Sequence, residues 1–256
     1  MLKLSVSSMD TYKTCPKKYY YRYIERLKVE VKKHTFTEFG SCAHLILEFF
    51  HQRVDESTDV NEYPEIMKKC FVEGIKEFDR DILDSDDIWS PDGSKNGIRY
   101  LKDLMQEYLH LVRKNGLPNV IATEKDYSFD VREGALVRGF IDRIDKVGEG
   151  HYHVLDYKTS KNAKYLKKFQ LLVYALAIKE IYPDAEKVTG SFMLIKHGFR
   201  EESFSFTDLD LDKCFEDIKK NIDMIEKEKV WVKKPTRLCN WCDYQSICQN
   251  NWVSQE

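Results

Sequence analysis

The chain has 256 residues, enough for one large domain or two small ones. Hydrophobic residues make up 42% of it, which permits a packed core and excludes a disordered tail. Its 41 basic and 43 acidic residues leave a formal charge of -2, so the total charge names no polyanionic partner.

No run approaches the roughly 20 apolar residues of a membrane span. The opening "MLKLSVSSMDTYKTC" lacks the apolar core of a signal peptide. A soluble, cytoplasmic protein without membrane association is expected. The charge is unevenly spread: residues 1–33 carry nine Lys/Arg against three acids, and residues 55–92 carry thirteen acids against four bases. The basic end could face a polyanion, whereas the acidic run reads as solvated surface.

In chain order, "VSSMDTYKTCPKKYYYRYIER" (residues 6–26) predicts a short helix, capped by Ser7 or Ser8 and broken at Cys15-Pro16. Residues 37–54 predict a strongly apolar helix. Helical spacing recurs in "EIMKKCFVEGIKEF" and "IRYLKDLMQEYLHLVRKNG", with a turn-rich loop between them. From Pro118 the pattern changes. "NVIATEKDYSFDV", "ALVRGFIDRIDKVGEG" and "HYHVLDYKT" alternate with a period near two and predict strands joined by a Gly turn. Residues 163–181 predict a helix, "KVTGSFMLIKHG" and "REESFSFT" two further strands, and 208–230 a last helix. A mixed sheet with a crossover helix indicates a single α/β domain over 1–256. Residues 55–118 are expected to form a helical insertion in it, and the cysteine-bearing tail, 231–256, is expected to pack on the N-terminal segment.

Side chains alternate across a strand, so Val154, Asp156 and Lys158 share one face, and Asp142 comes from the preceding strand of the same hairpin. Two acids and a lysine among hydrophobes are costly to bury without partners. A divalent cation between the carboxylates offsets that cost. Hard cations such as Mg²⁺ or Mn²⁺ take oxygen ligands, and a nearby lysine can stabilise charge growing on a phosphate. Taken alone, Asp-x-Lys is equally a surface ion pair. Gln170 and Tyr174 lie four apart, on one helical face, and flank the apolar stripe of their helix. Either they are ordinary surface or they reach over the strand ends and orient Lys158.

The run Gly139–Asp142, then Asp156-Tyr157-Lys158, then Gln170-x-x-x-Tyr174, resembles the PD-(D/E)xK nuclease superfamily. More closely it resembles the RecB-like branch, with the nuclease domains of RecB and AddB and the CRISPR-associated exonucleases. "VSSMDTYKTCPKKYYYRY" and "FGSCAHLILE" also look like that branch. The resemblance implies a restriction-endonuclease-like α/β fold, a mixed central sheet flanked by helices. It implies a metal site of His44, Asp142, Asp156 and the Tyr157 main-chain carbonyl. Lys158 would be the catalytic lysine, with Asp142, Asp156, Gln170 and Tyr174 also in the catalytic set. Here the first half of the motif is "IDRID" rather than Pro-Asp; the G-x-x-D-R-x-D form places Asp142 as ligand and turns Asp145 elsewhere. Glu124 reads equally as an accessory acid and as a surface acid.

Seven cysteines with no secretion signal argue against a disulfide framework. Cys239-x₂-Cys242-x₅-Cys248 lacks one thiol for a four-ligand site, and Cys15 is the candidate. Spacing alone leaves Zn²⁺ and an iron–sulfur cluster open. The layout of one cysteine near the N-terminus and three near the C-terminus resembles AddB-type nucleases and implies [4Fe–4S]. Cys42, Cys70 and Cys214 read as buried small hydrophobes. Tyrosines interleaved with basic residues near the N-terminus, including Lys17, Lys18, Tyr20 and Arg22, suit base stacking and phosphate contact, as does Lys161 after the strand.

The functional expectation is a metal-dependent deoxyribonuclease, an exonuclease on single-stranded DNA ends. The alternatives are a non-catalytic DNA-end-binding or adaptor module, and a nuclease subunit active only with a helicase. The chain has no GxxxxGK[ST] loop, so a motor would come from a helicase, recombination or CRISPR partner.

Overall fold

The computed structural model describes residues 1–30, 33–84, 96–160 and 166–248. Two compact units are built from interleaved segments. Unit 1 comprises Met1–Lys32, Ser128–Gly139 and Asp212–Glu256; unit 2 comprises Lys33–Tyr127 and Phe140–Leu211.

In unit 1, β1 (Leu2–Leu4) pairs in parallel with the start of β3 (Ala135–Gly148), Leu2 opposite Ala135 and Leu4 opposite Val137. Three residues carry too little alternation to be read as a strand from sequence. Helix α1 (Val6–Thr14) starts at Ser5 rather than at Ser7 or Ser8. Ser5 Oγ accepts from the Ser8 amide at 3.1 Å, and Ser8 Oγ accepts from the Ser5 amide at 2.8 Å, a capping box with serine in the usual Glu/Gln place. Cys15 is extended, and Pro16, which needs no helical N–H donor, opens α2 (Pro16–Tyr19). A π-helical turn, Tyr20–Ile24, follows.

The tail returns to this segment. The Lys17 amide donates to the Val232 carbonyl at 3.2 Å. Trp231 stacks on buried Tyr19, ring centroids 5.8 Å apart. Arg132, at the end of β2 (Val120–Arg132), forks onto Asp223 and Glu226 at 2.7 and 2.6 Å. Both acids lie on α8 (Asp208–Lys227), which stops three residues before its expected end.

In unit 2, the remainder of β3 pairs antiparallel with β4 (His151–Lys158). β4 pairs in parallel with β5 (Lys187–Leu194), and β5 antiparallel with β6 (Arg200–Ser205). β2 also pairs with β3. The parallel β4–β5 step needs a crossover, and α7 (Lys168–Ile181) supplies it, packed on both strands. It begins later than the expected 163; residues 161–165 lie outside the described residues.

The other sheet face presents Leu155, Tyr157 and Met193 to α3 (Thr35–His51), α4 (Tyr63–Lys76), α5 (Arg80–Leu83) and α6 (Gly97–Asn115) in one core. Asn96 caps α6, its Oδ1 accepting from the Arg99 amide at 2.6 Å. This is the mixed α/β architecture expected, a mixed sheet with helices on both faces. No helix among the described residues is long and apolar enough to cross a membrane.

Candidate active site

Three elements of unit 2 deliver the acidic cluster. The β3–β4 ladder runs out to Arg143 opposite Leu155; the next residues outward are Asp142 and Asp156. Asp142 turns its carboxylate across, and Oδ2 accepts from the Tyr157 amide at 2.8 Å. His44, mid-way along α3, brings Nδ1 to 3.3 Å from the same oxygen. Its ring meets the Tyr157 ring edge-on at 5.6 Å, and the Tyr157 main-chain carbonyl accepts a hydrogen bond from the imidazole. His44, Glu124 and Asp142 each offer a ligand atom within 4.8 Å of the others.

Glu124, which the sequence leaves open between an accessory acid and a surface acid, is the third member of this group. It lies in β2 with φ +42°, the left-handed region, which costs on the order of 1 kcal/mol or more outside glycine. A single strand acid has no local pattern to mark it. The departure that aims it inward exists only in the folded backbone.

The other half of the site is a clamp on Asp156. Its Oδ1 accepts from Gln170 Nε2 at 2.7 Å and from the Tyr174 hydroxyl at 3.2 Å. Lys158 Nζ lies 2.5 Å from Asp156 Oδ2 but without hydrogen-bond alignment, leaving that buried oxygen with a counter-ion and no hydrogen bond. Gln170 Oε1 accepts from Lys158 at 3.0 Å, and Gln170 Nε2 also donates to Tyr174 at 2.8 Å. The one-turn spacing of Gln170 and Tyr174 on α7 therefore places both over the C-terminal part of β4, as expected. Asp145 turns away from the cluster to pair with Arg143 at 2.9 Å.

Burial lowers the His44 pKa, keeping the imidazole neutral with a free lone pair. Burial, then the nearby Asp156 charge, raises Asp142 well above the usual carboxylate range. Burial, then Asp142, pushes Glu124 up to about 7. The pocket thus concentrates oxygen donors and one neutral nitrogen where negative charge is under-compensated. That donor chemistry fits a hard divalent cation such as Mg²⁺ or Mn²⁺.

In unit 1, Cys15, Cys239, Cys242 and Cys248 line one cavity of about 100 Å³. All four are free thiols, and burial and mutual repulsion raise the Cys248 thiol. Cys42, Cys70 and Cys214 are buried. Of the N-terminal tyrosines, Tyr12 and Tyr19 are core. Tyr20 and Tyr21 are half-buried and carry the Lys17 ammonium 4.7 and 4.9 Å from their ring centres. Lys18 is half-buried and Arg22 exposed; Lys161 lies outside the described residues.

A family model described as the PD-(D/E)XK nuclease superfamily matches residues 3–249. Over 117 residues the chain is 30% identical to the B-type subunit of the ATP-dependent helicase/deoxyribonuclease of Streptococcus pyogenes serotype M1, spanning 43% of this chain and 11% of that protein. The same-named protein of serotype M6 is 31% identical over the same length. The chain therefore covers about a ninth of these curated relatives. A crystal structure of a candidate exonuclease from Eubacterium rectale aligns over 99% of this chain and 90% of that one. Its TM-score is 0.54 at 13% identity, a likeness of fold.

Proposed function

Because the chain belongs to the PD-(D/E)XK nuclease superfamily, we propose that it is a divalent-metal-dependent deoxyribonuclease acting as an exonuclease on single-stranded DNA ends. The observation that carries this is the meeting of His44, Glu124 and Asp142 beside an Asp156–Lys158 pair. His44, Asp142, Asp156 and the Tyr157 carbonyl would hold Mg²⁺ or Mn²⁺, with Glu124 as a further donor. Bound there, the cation would supply Lewis acidity at the phosphate and make a neighbouring water more acidic.

The chain's own groups do the rest. Lys158 places a positive charge where the phosphate gains negative charge. Gln170 fixes that ammonium and the Asp156 carboxylate together, and Tyr174, held protonated by burial, locks Asp156 from the other side. The half-buried tyrosines and lysines of residues 17–22 would stack on bases and contact phosphates without sequence preference.

The four thiols of unit 1 would hold [4Fe–4S]. The layout that supports this is one thiol, Cys15, set with three, Cys239, Cys242 and Cys248, around one cavity. Anaerobically purified protein should be brown with iron and sulfide; a colourless, zinc-bearing protein would overturn this part. Reduced thiols suit the cytoplasm. The relatives' name pairs a deoxyribonuclease with a helicase, which supports a helicase partner. One nuclease domain over the whole chain, with its helical insertion, is the corresponding organisation.

The test of the main proposal is Mg²⁺- or Mn²⁺-dependent degradation of end-labelled single-stranded DNA. Cleavage that survives Lys158→Ala or Asp156→Ala would sink it. Retention of DNA ends without cleavage in any divalent metal would indicate an end-binding module instead.

A further inference from the structure

Behind the site lies a buried charge that the proposed chemistry does not use. Arg143 is 4% exposed and Asp145 6%. Arg143 Nη2 donates to Asp145 Oδ2 at 2.9 Å. Nη1 donates to the Tyr157 hydroxyl at 3.0 Å and the Tyr108 hydroxyl at 3.1 Å, and lies 3.4 Å from His51 Nε2. His51 and Tyr108 share a 2.6 Å hydrogen bond.

A buried ion pair is weak evidence for stability, since well-packed hydrophobes often serve as well. This one is costly even by that standard. Arg143 Nε, Asp145 Oδ1 and His51 Nδ1 are buried without hydrogen-bond partners, and each such group costs on the order of 1–3 kcal/mol. A stability role alone does not account for it.

What Arg143 touches does. It follows Asp142 in β3. It anchors the ring of Tyr157, whose amide holds the Asp142 carboxylate and whose carbonyl takes the His44 hydrogen bond. Through His51 it reaches α3 seven residues after His44, two turns along the same helical face. His44, Asp142 and Tyr157 come from α3, β3 and β4, and the Arg143 guanidinium is bonded or covalently adjacent to each of those elements. A planar guanidinium with its fork of donors can brace three elements at once; a lysine ammonium cannot.

We propose that Arg143, charge-balanced by Asp145, is a positioning residue that sets His44, Asp142 and Tyr157 relative to one another through the Tyr157, Tyr108 and His51 side chains. The inference rests on the nuclease proposal for its purpose but not for its geometry. Outer supports of this kind typically change metal affinity about 10–100-fold when removed.

The test uses the full chain carrying Tyr108→Phe and Tyr157→Phe together, which deletes two hydroxyls and keeps both rings. Arg143→Lys, which keeps the charge and loses the fork, is the second variant. Two quantities are read: hydrogen exchange at the Tyr157 amide, with Val154 in the same strand as control, and Mn²⁺ affinity by titration. The expected result is exchange at Tyr157 at least about tenfold faster with Val154 unchanged, and Mn²⁺ affinity about tenfold weaker. Tyr157 exchange equal to the parent protein in both variants overturns the positioning role. Parent protein that binds no Mn²⁺ would sink the nuclease proposal, and the amide measurement would still decide the role of Arg143.

Discussion

Lys158 leans on Asp156 Oδ2, and Gln170 holds it there. The ammonium thus occupies the place of a counter-ion for a carboxylate proposed to bind metal. Lys158→Ala should therefore bind Mn²⁺ more tightly than the parent chain while losing cleavage, a split that calorimetry and a nuclease assay together would detect. Glu124 gives a second prediction. Its pKa stands at about 7 against an ordinary 4.5, so between those values the folded state holds a proton that the unfolded state has released. Stability of the metal-free protein should fall as pH rises through that window, and Asp142, shifted the same way, adds to it. Glu124→Gln should flatten the decline in Tm between about pH 5 and 8. Protons and metal compete for the same oxygens, so Mn²⁺ affinity should rise with pH up to about 7 and do so less in Glu124→Gln. Asp142, Asp156 and Lys158 were legible from the sequence because strand alternation puts acids and a lysine where hydrophobes belong. Gln170 and Tyr174 were legible from their one-turn spacing. His44 needed the resemblance of its flanking motif, since one histidine on an apolar helix has no signature of its own.

At the scale of elements, α3 is held by close approaches that only glycine allows. A Cβ on Gly74 of α4 would meet Ile46 Cγ1 of α3 at 2.5 Å. Gly74→Ala should cost about 1–3 kcal/mol from overpacking, visible as a lower midpoint in urea. A Cβ on Gly40 would meet Thr159 Oγ1 at 2.9 Å, one residue beyond Lys158. Gly40→Ala should shift the start of α3 away from the end of β4, one turn before His44, and reduce turnover more than stability; comparing kcat with Tm checks this. Strands β2 to β5 and the longer helices were readable because each carries its period over eight residues or more. Boundaries slipped where chemistry departs from the usual pattern. A Ser-Ser box moved the first cap to Ser5, and β1 is recognisable only from its partner in β3. The hairpin was read correctly while the bend at Glu124 was not, because periodicity reports which face a residue takes and not a local reversal of φ.

For the whole molecule, the interleaving of segments matters most. Unit 1 draws on Met1–Lys32, Ser128–Gly139 and Asp212–Glu256, and unit 2 takes the sequence between these stretches. The thiol cavity joins residue 15 to residues 239–248. Closing so long a loop through a bound inorganic group contributes to folding only when the group is present. Removing it, or substituting Cys15→Ala, should lower the Tm and strip exchange protection from α1 and the tail, with β4 and β5 protected to the end. Binding to single-stranded DNA should weaken steeply between about 50 and 200 mM salt, as contacts to phosphates require. Interleaving also dictates an order of assembly. Leu211, the last residue of unit 2, is joined to the chain before any cysteine of the 239–248 group. Unit 2 can settle before unit 1 has all of its segments, while Cys15 stays unmatched until residues 239–248 are made. With iron held there as proposed, a chain made without it would keep the His44–Asp142 pocket of unit 2 while Cys15 and residues 239–248 stay untied and open to proteases.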